Sequence, residues 1–140
     1  DLKAQGFDIS MGSEEDLLGA DLVLTLTTSR EPLFDESQVS PTAVVAAIGS
    51  HEPTAREVPG ELMGSAVVYI ESLKSALSEA GDVIMAIEEG HVGQADLVEI
   101  RELFSSTGNH EPSGRKVFKS TGMSWQDLVV VRALEKFLAL

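Results

Sequence analysis

Residues 43–48 (AVVAAI) form an apolar run without polar alternation, and this run most constrains how the chain folds. Such a run is typical of a strand buried on both faces, as in a parallel sheet with helices on each side. Gly49, Ser50 and His51 follow it directly in a polar segment. Because parallel sheets bind ligands beyond the carboxyl ends of their strands, this stretch predicts either a binding site or an ordinary polar loop.

Short apolar runs recur along the chain and alternate with helical patterns. Strands are predicted at residues 7–10, 21–26, 43–48, 67–70 and 116–119. Helices are predicted at residues 14–19, 61–63, 73–80 (with Gly81 as the stop signal), 96–104 and 124–140, and residues 82–89 fit a strand or a helix. Alternation of this kind predicts an α/β fold in which helices flank a mainly parallel sheet.

Two predicted helices begin with a capping box, which pairs Ser13 with Asp16 and Ser124 with Asp127. The second of these helices is apolar over more than one stripe. Its apolar positions include Leu128, Val130, Val131, Leu134, Phe137 and Leu138. So broad an apolar surface needs more contacts than one sheet face offers, and another domain or subunit is therefore expected to cover it.

The composition excludes several classes of function. A net charge of −13 and a pI near 4.4 argue against a nucleic-acid partner, because phosphate binding needs clustered Lys and Arg. The sequence contains no cysteine, which excludes disulfides, zinc–thiolate sites and cysteine nucleophiles. Its apolar runs are too short to span a membrane, so no membrane partner is expected. No signal peptide is visible, so a cytoplasmic location is expected. The length of 140 residues suits a single domain.

Three loops that follow predicted strands are rich in small and hydroxyl residues. They are Thr27, Thr28 and Ser29; then Gly49, Ser50 and His51; and finally Ser120, Thr121 and Gly122. Because the carboxyl ends of parallel strands lie along one edge of a sheet, the three loops are predicted to line one crevice. Residues of this kind are also common in ordinary turns between strands and helices, so a purely structural role is the alternative.

Other sites are disfavoured by the sequence pattern. His51, His91 and His110 lie far apart, and none is at the i, i+4 spacing of a helical zinc pair, so no metal site is predicted. The chain has no Gly-x-Ser-x-Gly elbow of a serine hydrolase. It also lacks the Gly-x-Gly-x-x-Gly fingerprint and the P-loop, so the residues by themselves do not demonstrate a nucleotide site.

A set of short motifs occurs in a characteristic order along nearly the whole chain. The motifs are residues 20–25 (ADLVLT), 28–32 (TSREP), 49–53 (GSHEP), 56–57 (RE), 61–62 (EL), 68–70 (VYI), 80–82 (AGD), 118–123 (FKSTGM) and 126–127 (QD). In order and spacing, this set resembles the ornithine cyclodeaminase/mu-crystallin family.

The resemblance implies a Rossmann-like domain that binds NAD or NADP, within a two-domain, usually dimeric oxidoreductase. It also implies hydride transfer between nicotinamide and the Cα of a small amino-acid or imino-acid substrate. By this similarity, Gly49 and Ser50 would lie near the nicotinamide. The residues that would border the cofactor on its two sides are Thr27, Thr28 and Ser29 on one side and Ser120, Thr121 and Gly122 on the other.

The position of His51 departs from the pattern of the cyclodeaminases in the family. Those enzymes carry an Asp there, which serves as their catalytic acid/base. An imidazole titrates near neutral pH, so His51 is the predicted proton-transfer residue. The departure favours an imine reductase or amino-acid dehydrogenase. The alternatives are an ornithine cyclodeaminase proper, a non-catalytic mu-crystallin-like binding protein, and a stand-alone α/β module.

The family's glycine fingerprint and its substrate domain have no counterpart in these residues. Residues 1–122 are therefore expected to be the second half of a dinucleotide-binding domain. Residues 123–140 are expected to be a C-terminal helix that would pack on the substrate/dimerisation domain of a longer, homodimeric parent. Because the pyrophosphate cradle anchors the cofactor in such folds, the chain alone is expected to be inactive and to bind the cofactor weakly.

Overall fold

Five parallel strands form one sheet in the computed structural model, which describes residues 2–105 and 113–138. The strands are β1 (Leu22–Thr25), β2 (Val44–Ala47), β3 (Val67–Ile70), β4 (Val98–Glu99) and β5 (Lys116–Lys119). Their order across the sheet is β1-β2-β5-β3-β4, and every neighbouring pair is parallel. The last strand of the chain therefore lies at the centre of the sheet.

Helices flank this sheet, which confirms the predicted α/β class. The α-helices are α1 (Gly60–Gly64), α2 (Leu73–Glu79), α3 (Gly81–Glu88), α4 (Arg101–Ser105) and α5 (Ser124–Leu138). Short 3₁₀ helices cover Lys3–Gln5, Glu14–Gly19, Glu36–Gln38 and Gln94–Asp96. No helix within residues 2–105 and 113–138 combines the length and the apolar character needed to cross a membrane.

The two faces of the sheet differ in how they are covered, because successive side chains of a strand point to opposite sides. The inner face is buried and consists of Val23, Thr25, Val45, Ala47, Val68, Ile70, Val117 and Lys119. Its apolar members pack with Leu62 and Met63 of α1, Ala76 of α2, and Val83 and Ala86 of α3. On the outer face, Val44, Ala46, Tyr69 and Phe118 line an apolar groove with Ile100 and Leu103.

Two predicted elements are wrong, and the pairing of strands in the sheet explains both differences. Residues 7–10 form no strand, and Phe7 and Ile9 stay 59% and 38% exposed because this segment pairs with no strand of the described sheet. The helix predicted at residues 96–104 is interrupted by β4, which pairs with β3, and the N–H of Ile100 donates to the carbonyl of Ile70 at 2.8 Å. The free edge of β3 thus outweighs the local helical pattern.

The segment around Gly81 also differs from expectation. Gly81 does not stop α2 but begins α3, and the ambiguous residues 82–89 are largely helical. A Cβ at position 81 would overlap the carbonyl oxygens of Ala55 and Glu52. The glycine is therefore needed for the close approach of α3 to the chain that follows β2. This packing, and not the termination of α2, is the role of Gly81.

One of the two predicted capping boxes is confirmed. The carboxylate of Asp16 accepts a hydrogen bond from the N–H of Ser13 at 2.6 Å. At the start of α5, the corresponding bond runs from the N–H of Met123 to Oε1 of Gln126 at 2.9 Å, so the predicted partner Asp127 is wrong by one residue. Gln126 is held in place because its Nε2 donates to Glu71, which follows β3.

Helix α5 exposes apolar side chains on more than one side, as the sequence predicts. None of its fifteen residues is buried. The exposed large apolar residues are Trp125, Leu128, Val129, Val130, Val131, Leu134, Phe137 and Leu138. In its first turn, Trp125 lines a groove together with Phe118 of β5.

Two leucine substitutions are expected to separate the packed core from the exposed helix. Leu62 is 0% exposed and Leu128 is 50% exposed. Leu62→Ala should lower the free energy of unfolding by about 2–5 kcal/mol because it leaves a cavity. Leu128→Ala should lower it by less than about 1 kcal/mol, as surface substitutions do. Urea unfolding at low protein concentration measures both, and an equal loss for Leu128→Ala would show that α5 is packed in solution.

Candidate functional site

The three predicted loops follow three neighbouring strands. We call residues 26–32 the β1 loop, residues 48–56 the β2 loop and residues 120–123 the β5 loop. Because β1, β2 and β5 are adjacent and parallel, all three loops leave the same edge of the sheet. This is the edge at which open α/β sheets bind ligands.

A small cleft of about 60 Å³ lies between the β1 and β2 loops. It is lined by Thr28, Ser29, Arg30, Gly49, Ser50, His51, Glu52 and Ala55. The structure thus brings five of the predicted site residues together around one opening. Thr27 lies behind the cleft, and the β5 loop does not contribute to its lining.

The carboxylate of Glu57 holds the β1 and β2 loops together. This side chain is 0% exposed. Its Oε1 accepts from the N–H and the hydroxyl of Thr27, at 2.6 and 2.8 Å. Its Oε2 accepts from the hydroxyl of Thr25 at 2.9 Å and from the N–H groups of Gly49 and Ser50 at 2.7 and 3.3 Å. One anion therefore fixes both walls of the cleft.

The pKa of Glu57 reflects two opposing effects. Burial disfavours the charged carboxylate and by itself raises the pKa. The hydrogen bonds from Thr27, Thr25 and Gly49 favour the charged form, and together they outweigh burial, so the pKa of Glu57 is lowered from its ordinary value of 4.5. Glu57 is therefore an anion at neutral pH, and the loops close around a full negative charge.

A second buried carboxylate and a buried lysine extend this network to β5. Oδ1 of Asp82, in α3, accepts from the N–H groups of Glu57 and Val58 at 2.7 and 3.0 Å. Its Oδ2 lies 2.9 Å from Nζ of Lys119, and both side chains are 0% exposed. Nζ of Lys119 also donates to the carbonyl of Ser50 at 2.5 Å. The cleft loops are thus connected to the central strand of the sheet.

The hydrogen bonds divide the predicted site residues into two groups. The hydroxyl of Thr27 is bound to Glu57, and the hydroxyl of Ser50 donates to the carbonyl of Ala55 at 2.6 Å. These two hydroxyls therefore stabilise the loops. The hydroxyl of Thr28 and the imidazole of His51 are exposed and form no hydrogen bond with another described residue. They are the groups that a ligand in the cleft would meet.

The β5 loop is organised by Glu71 rather than by the cleft. Oε2 of Glu71 accepts from the N–H groups of Thr121 and Gly122, at 3.1 and 3.0 Å. Gly122 has φ = 80°, a left-handed conformation that glycine adopts without strain. The amides of Thr121 and Gly122 are therefore occupied by a side chain of the protein. The hydroxyl of Ser120 also accepts from the N–H of Gly122, at 3.3 Å, so the hydroxyl of Thr121 is the group left for a ligand.

An exposed ion pair connects the β1 and β2 loops beside the cleft. Nη1 of Arg30 lies 2.7 Å from Oε2 of Glu52, and Nη2 of Arg30 donates to the hydroxyl of Thr54 at 3.1 Å. The hydrogen bond and the charge of Arg30 lower the pKa of Glu52. Because both side chains are more than half exposed, this pair contributes little to stability and can rearrange when a ligand binds.

The other histidines lie apart from the cleft or outside the described residues. Nε2 of His91 lies 3.8 Å from Glu89 and 3.9 Å from Glu61, near α1 and α3. His110 falls outside residues 2–105 and 113–138. Within those ranges there is no group of three or more His, Asp or Glu residues that could hold a metal ion.

Sequence reasoning missed the roles of Glu57, Asp82, Lys119 and Glu71. Two of these, Asp82 and Lys119, are charged residues inside an otherwise apolar pattern, whereas Glu57 lies in a polar segment. Lys119 occupies an inward position of β5, two residues after the buried Val117, and Asp82 lies in the buried half of α3. A charge at a core-facing position is the signal that could have identified them, because unpaired buried charges are strongly disfavoured.

The parallel sheet and the loops at its carboxyl edge define a Rossmann-like α/β domain. A sequence profile of the ornithine cyclodeaminase/mu-crystallin family matches residues 2–138, so the chain belongs to this family. Similar proteins include the ketimine reductase mu-crystallin of Mus musculus, which is 35% identical over 119 residues. The Delta(1)-pyrroline-2-carboxylate reductase of Bacillus thuringiensis is 30% identical over 130 residues.

A solved relative has the same fold. An archaeal alanine dehydrogenase dimer with bound NAD superposes with a TM-score of 0.83 at 25% identity. The matches cover 85%, 90% and 96% of this chain, for the mouse, Bacillus and archaeal proteins respectively. They cover only 36%, 40% and 42% of those proteins, so the chain spans about two fifths of their length.

A substitution at Gly49 is expected to disrupt the contact between the two cleft loops. A Cβ at this position would overlap the backbone N and O of Thr27. Gly49→Ala should therefore lower the free energy of unfolding by about 1–3 kcal/mol, the usual cost of overpacking. Gly19→Ala is the matched control, because a Cβ there meets nothing within 4 Å. Equal stabilities of the two variants in urea would contradict this role of Gly49.

The charge of Glu57 is expected to give a defined pH dependence. Because its pKa is lowered on folding, its contribution is present above pH 4.5 and is lost as the pH falls through the lowered value. Glu57→Gln should lower the free energy of unfolding at pH 7 by about 1.5–3 kcal/mol, the usual contribution of hydrogen bonds to a charged group. The difference between wild type and variant should shrink on acidification, since protonated Glu57 resembles Gln. Urea unfolding from pH 7 to pH 3 checks this, and a constant difference would be inconsistent with it.

Proposed function

We propose that this chain provides the nicotinamide-binding edge of an NAD(P)-dependent oxidoreductase that acts on small amino or imino acids. The observation that carries the proposal is the cleft between the β1 and β2 loops, with the exposed imidazole of His51 beside it. The cleft lies at the carboxyl edge of a Rossmann-like sheet, where dinucleotides bind in this class of fold. Membership of a family that includes ketimine and pyrroline-carboxylate reductases supports the same function.

The described residues fit the nicotinamide end of such a cofactor. Gly49 and Ser50 form a small-residue wall, and Ser50 turns its hydroxyl away toward Ala55. Thr28 presents a hydroxyl that is available to a carboxamide group. No Gly-x-Gly-x-x-Gly occurs in the sequence, so the fit does not extend to the pyrophosphate. NAD or NADP is the proposed cofactor, in line with the NAD bound to the archaeal alanine dehydrogenase.

Hydride transfer to or from the substrate Cα is the chemistry that the bound cofactor would supply. The residues of this chain would orient the reactants and handle the proton. An imidazole can act as general acid and general base, so His51 would give a proton to the substrate nitrogen in one direction and accept it in the other. Proton transfer by His51 suits an imine reductase or amino-acid dehydrogenase.

The exposed apolar surface of α5 belongs to the same proposal. A helix that is apolar on several sides is normally covered by other elements. We propose that α5 packs on the substrate-binding or dimerisation part of a homodimer. The alanine dehydrogenase relative, which is a dimer, supports this arrangement.

The proposal is tested by titrating the ¹⁵N-labelled chain with the two halves of the cofactor. Nicotinamide mononucleotide should give saturable shifts of the amides of Thr28, Gly49 and His51, and of the imidazole protons of His51. The imidazole of His91 is an internal control and should not respond, since it lies near α1 and α3. Adenosine monophosphate should leave all of these signals unchanged.

Two results would contradict the proposal. Equal shifts with both mononucleotides would indicate non-selective anion binding. Shifts that avoid the β1 and β2 loops would place the ligand elsewhere on the protein.

A further inference from the structure

The backbone on the two sides of Ser50 is held by buried charges of opposite sign. Glu57 accepts the N–H groups of Gly49 and Ser50, at 2.7 and 3.3 Å. From the opposite direction, Nζ of Lys119 donates to the carbonyl oxygen of Ser50 at 2.5 Å. This carbonyl belongs to the peptide group that begins His51. These hydrogen bonds fix the backbone on the N-terminal side of His51, although the His51 imidazole forms no hydrogen bond with another described residue.

Lys119 occupies a position that would suit an apolar residue. In the register of the sheet it lies in one row with Thr25, Ala47 and Ile70, on the buried inner face. A buried ammonium–carboxylate pair such as Lys119–Asp82 is often no more stabilising than apolar packing of the same volume. The lysine is therefore not explained by stability, whereas its contact with Ser50 affects the geometry of the cleft.

We infer that Lys119 is the positioning residue of His51. It fixes the Ser50–His51 peptide and thereby directs the imidazole to one side of the cleft. This inference rests on the proposed function only in giving His51 its task of proton transfer. The placement of His51 by Lys119 can be measured without any ligand.

The same contact connects the third loop to the cleft. Lys119 is the last residue of β5, and Ser120, Thr121 and Gly122 follow it directly. A hydrogen bond from Lys119 to Ser50 therefore sets the β5 loop against the β2 loop. The β5 loop takes part in the cleft by this route although it does not line the opening.

The experiment compares order at His51 in variants of the intact chain. Lys119→Met alone leaves Asp82 buried without its cation and risks unfolding. The main variant is therefore Asp82→Asn with Lys119→Met, in which the amide oxygen of residue 82 still accepts from Glu57 and Val58. Lys116→Met is the matched control, because Lys116 lies on the same strand but on the outer face.

Backbone ¹⁵N relaxation should show a local effect. In the double variant, the order parameter of the His51 amide should fall from about 0.85 to below about 0.6, the values of rigid and flexible backbone. Thr28 and Ser29 should stay rigid because Glu57 still holds the β1 loop. Lys116→Met should change none of these values. Asp82→Asn alone leaves Lys119 buried without its anion and is therefore compared in its folded state, where His51 should stay ordered because the bond from Lys119 to Ser50 is retained.

Each contrary outcome overturns the inference. The inference fails if the His51 amide keeps a high order parameter in the folded double variant. It also fails if folded Asp82→Asn lowers this order parameter by the same amount. If the double variant does not fold, a measurement on the wild-type protein still tests the inference. The Lys119 ammonium should give a slowly exchanging signal with a scalar coupling through the hydrogen bond to the Ser50 carbonyl carbon, and its absence overturns the inference as well.

Titration with nicotinamide mononucleotide separates this inference from the proposed function. In the double variant, the shifts at His51 should be lost while those at Thr28 persist. If wild type itself gives no shifts, the proposed function fails, and the order parameters still decide the role of Lys119.

Discussion

The carboxylate of Glu57 lies where three peptide N–H groups and two threonine hydroxyls converge, and the geometry of the cleft depends on this convergence. A buried anion is costly unless it is fully hydrogen-bonded, so its donors have few alternative positions. The β1 and β2 loops therefore take one arrangement. Because Asp82 in turn accepts the N–H of Glu57, this arrangement is also tied to helix α3.

The network also explains why rigid and ligand-accessible groups occur side by side. The hydroxyls that face inward, on Thr25, Thr27 and Ser50, are bound to the protein. The groups that face outward, on Thr28 and His51, are carried by backbone that these bonds hold still. Such a division is what a binding site requires, since residues that meet a ligand are most precise when neighbouring side chains fix their positions.

Most of the fold follows from local patterns in the sequence, and the two elements that were assigned wrongly share one cause. The runs at residues 21–26, 43–48, 67–70 and 116–119 became strands because each is apolar enough to be buried. Residues 7–10 and 96–104 were predicted wrongly because their structure depends on whether a free sheet edge is nearby. Whether a segment pairs with a sheet edge depends on residues far away in the chain. The local hydrophobic periodicity of the segment does not indicate it.

The position of the cleft was predictable from the sequence, but the hydrogen bonding of its residues was not. Small residues after parallel strands indicated the edge of the sheet at which the cleft lies. Which hydroxyls remain available depends on Glu57, which lies 32 residues after Thr25 and 30 after Thr27. In the sequence, Glu57 belongs to an ordinary polar segment, and only the three-dimensional structure shows that it is buried.

The central place of β5 has a consequence for how the chain reaches its native state. β2 and β3 are not neighbours, and each pairs with β5, which begins only at Lys116. During synthesis, both strands keep an open hydrogen-bonding edge until β5 has been made. Such long-range pairing slows folding, and unpaired edges invite association with other chains. The nascent chain is therefore most prone to association with other chains in the interval between the synthesis of β3 and that of β5.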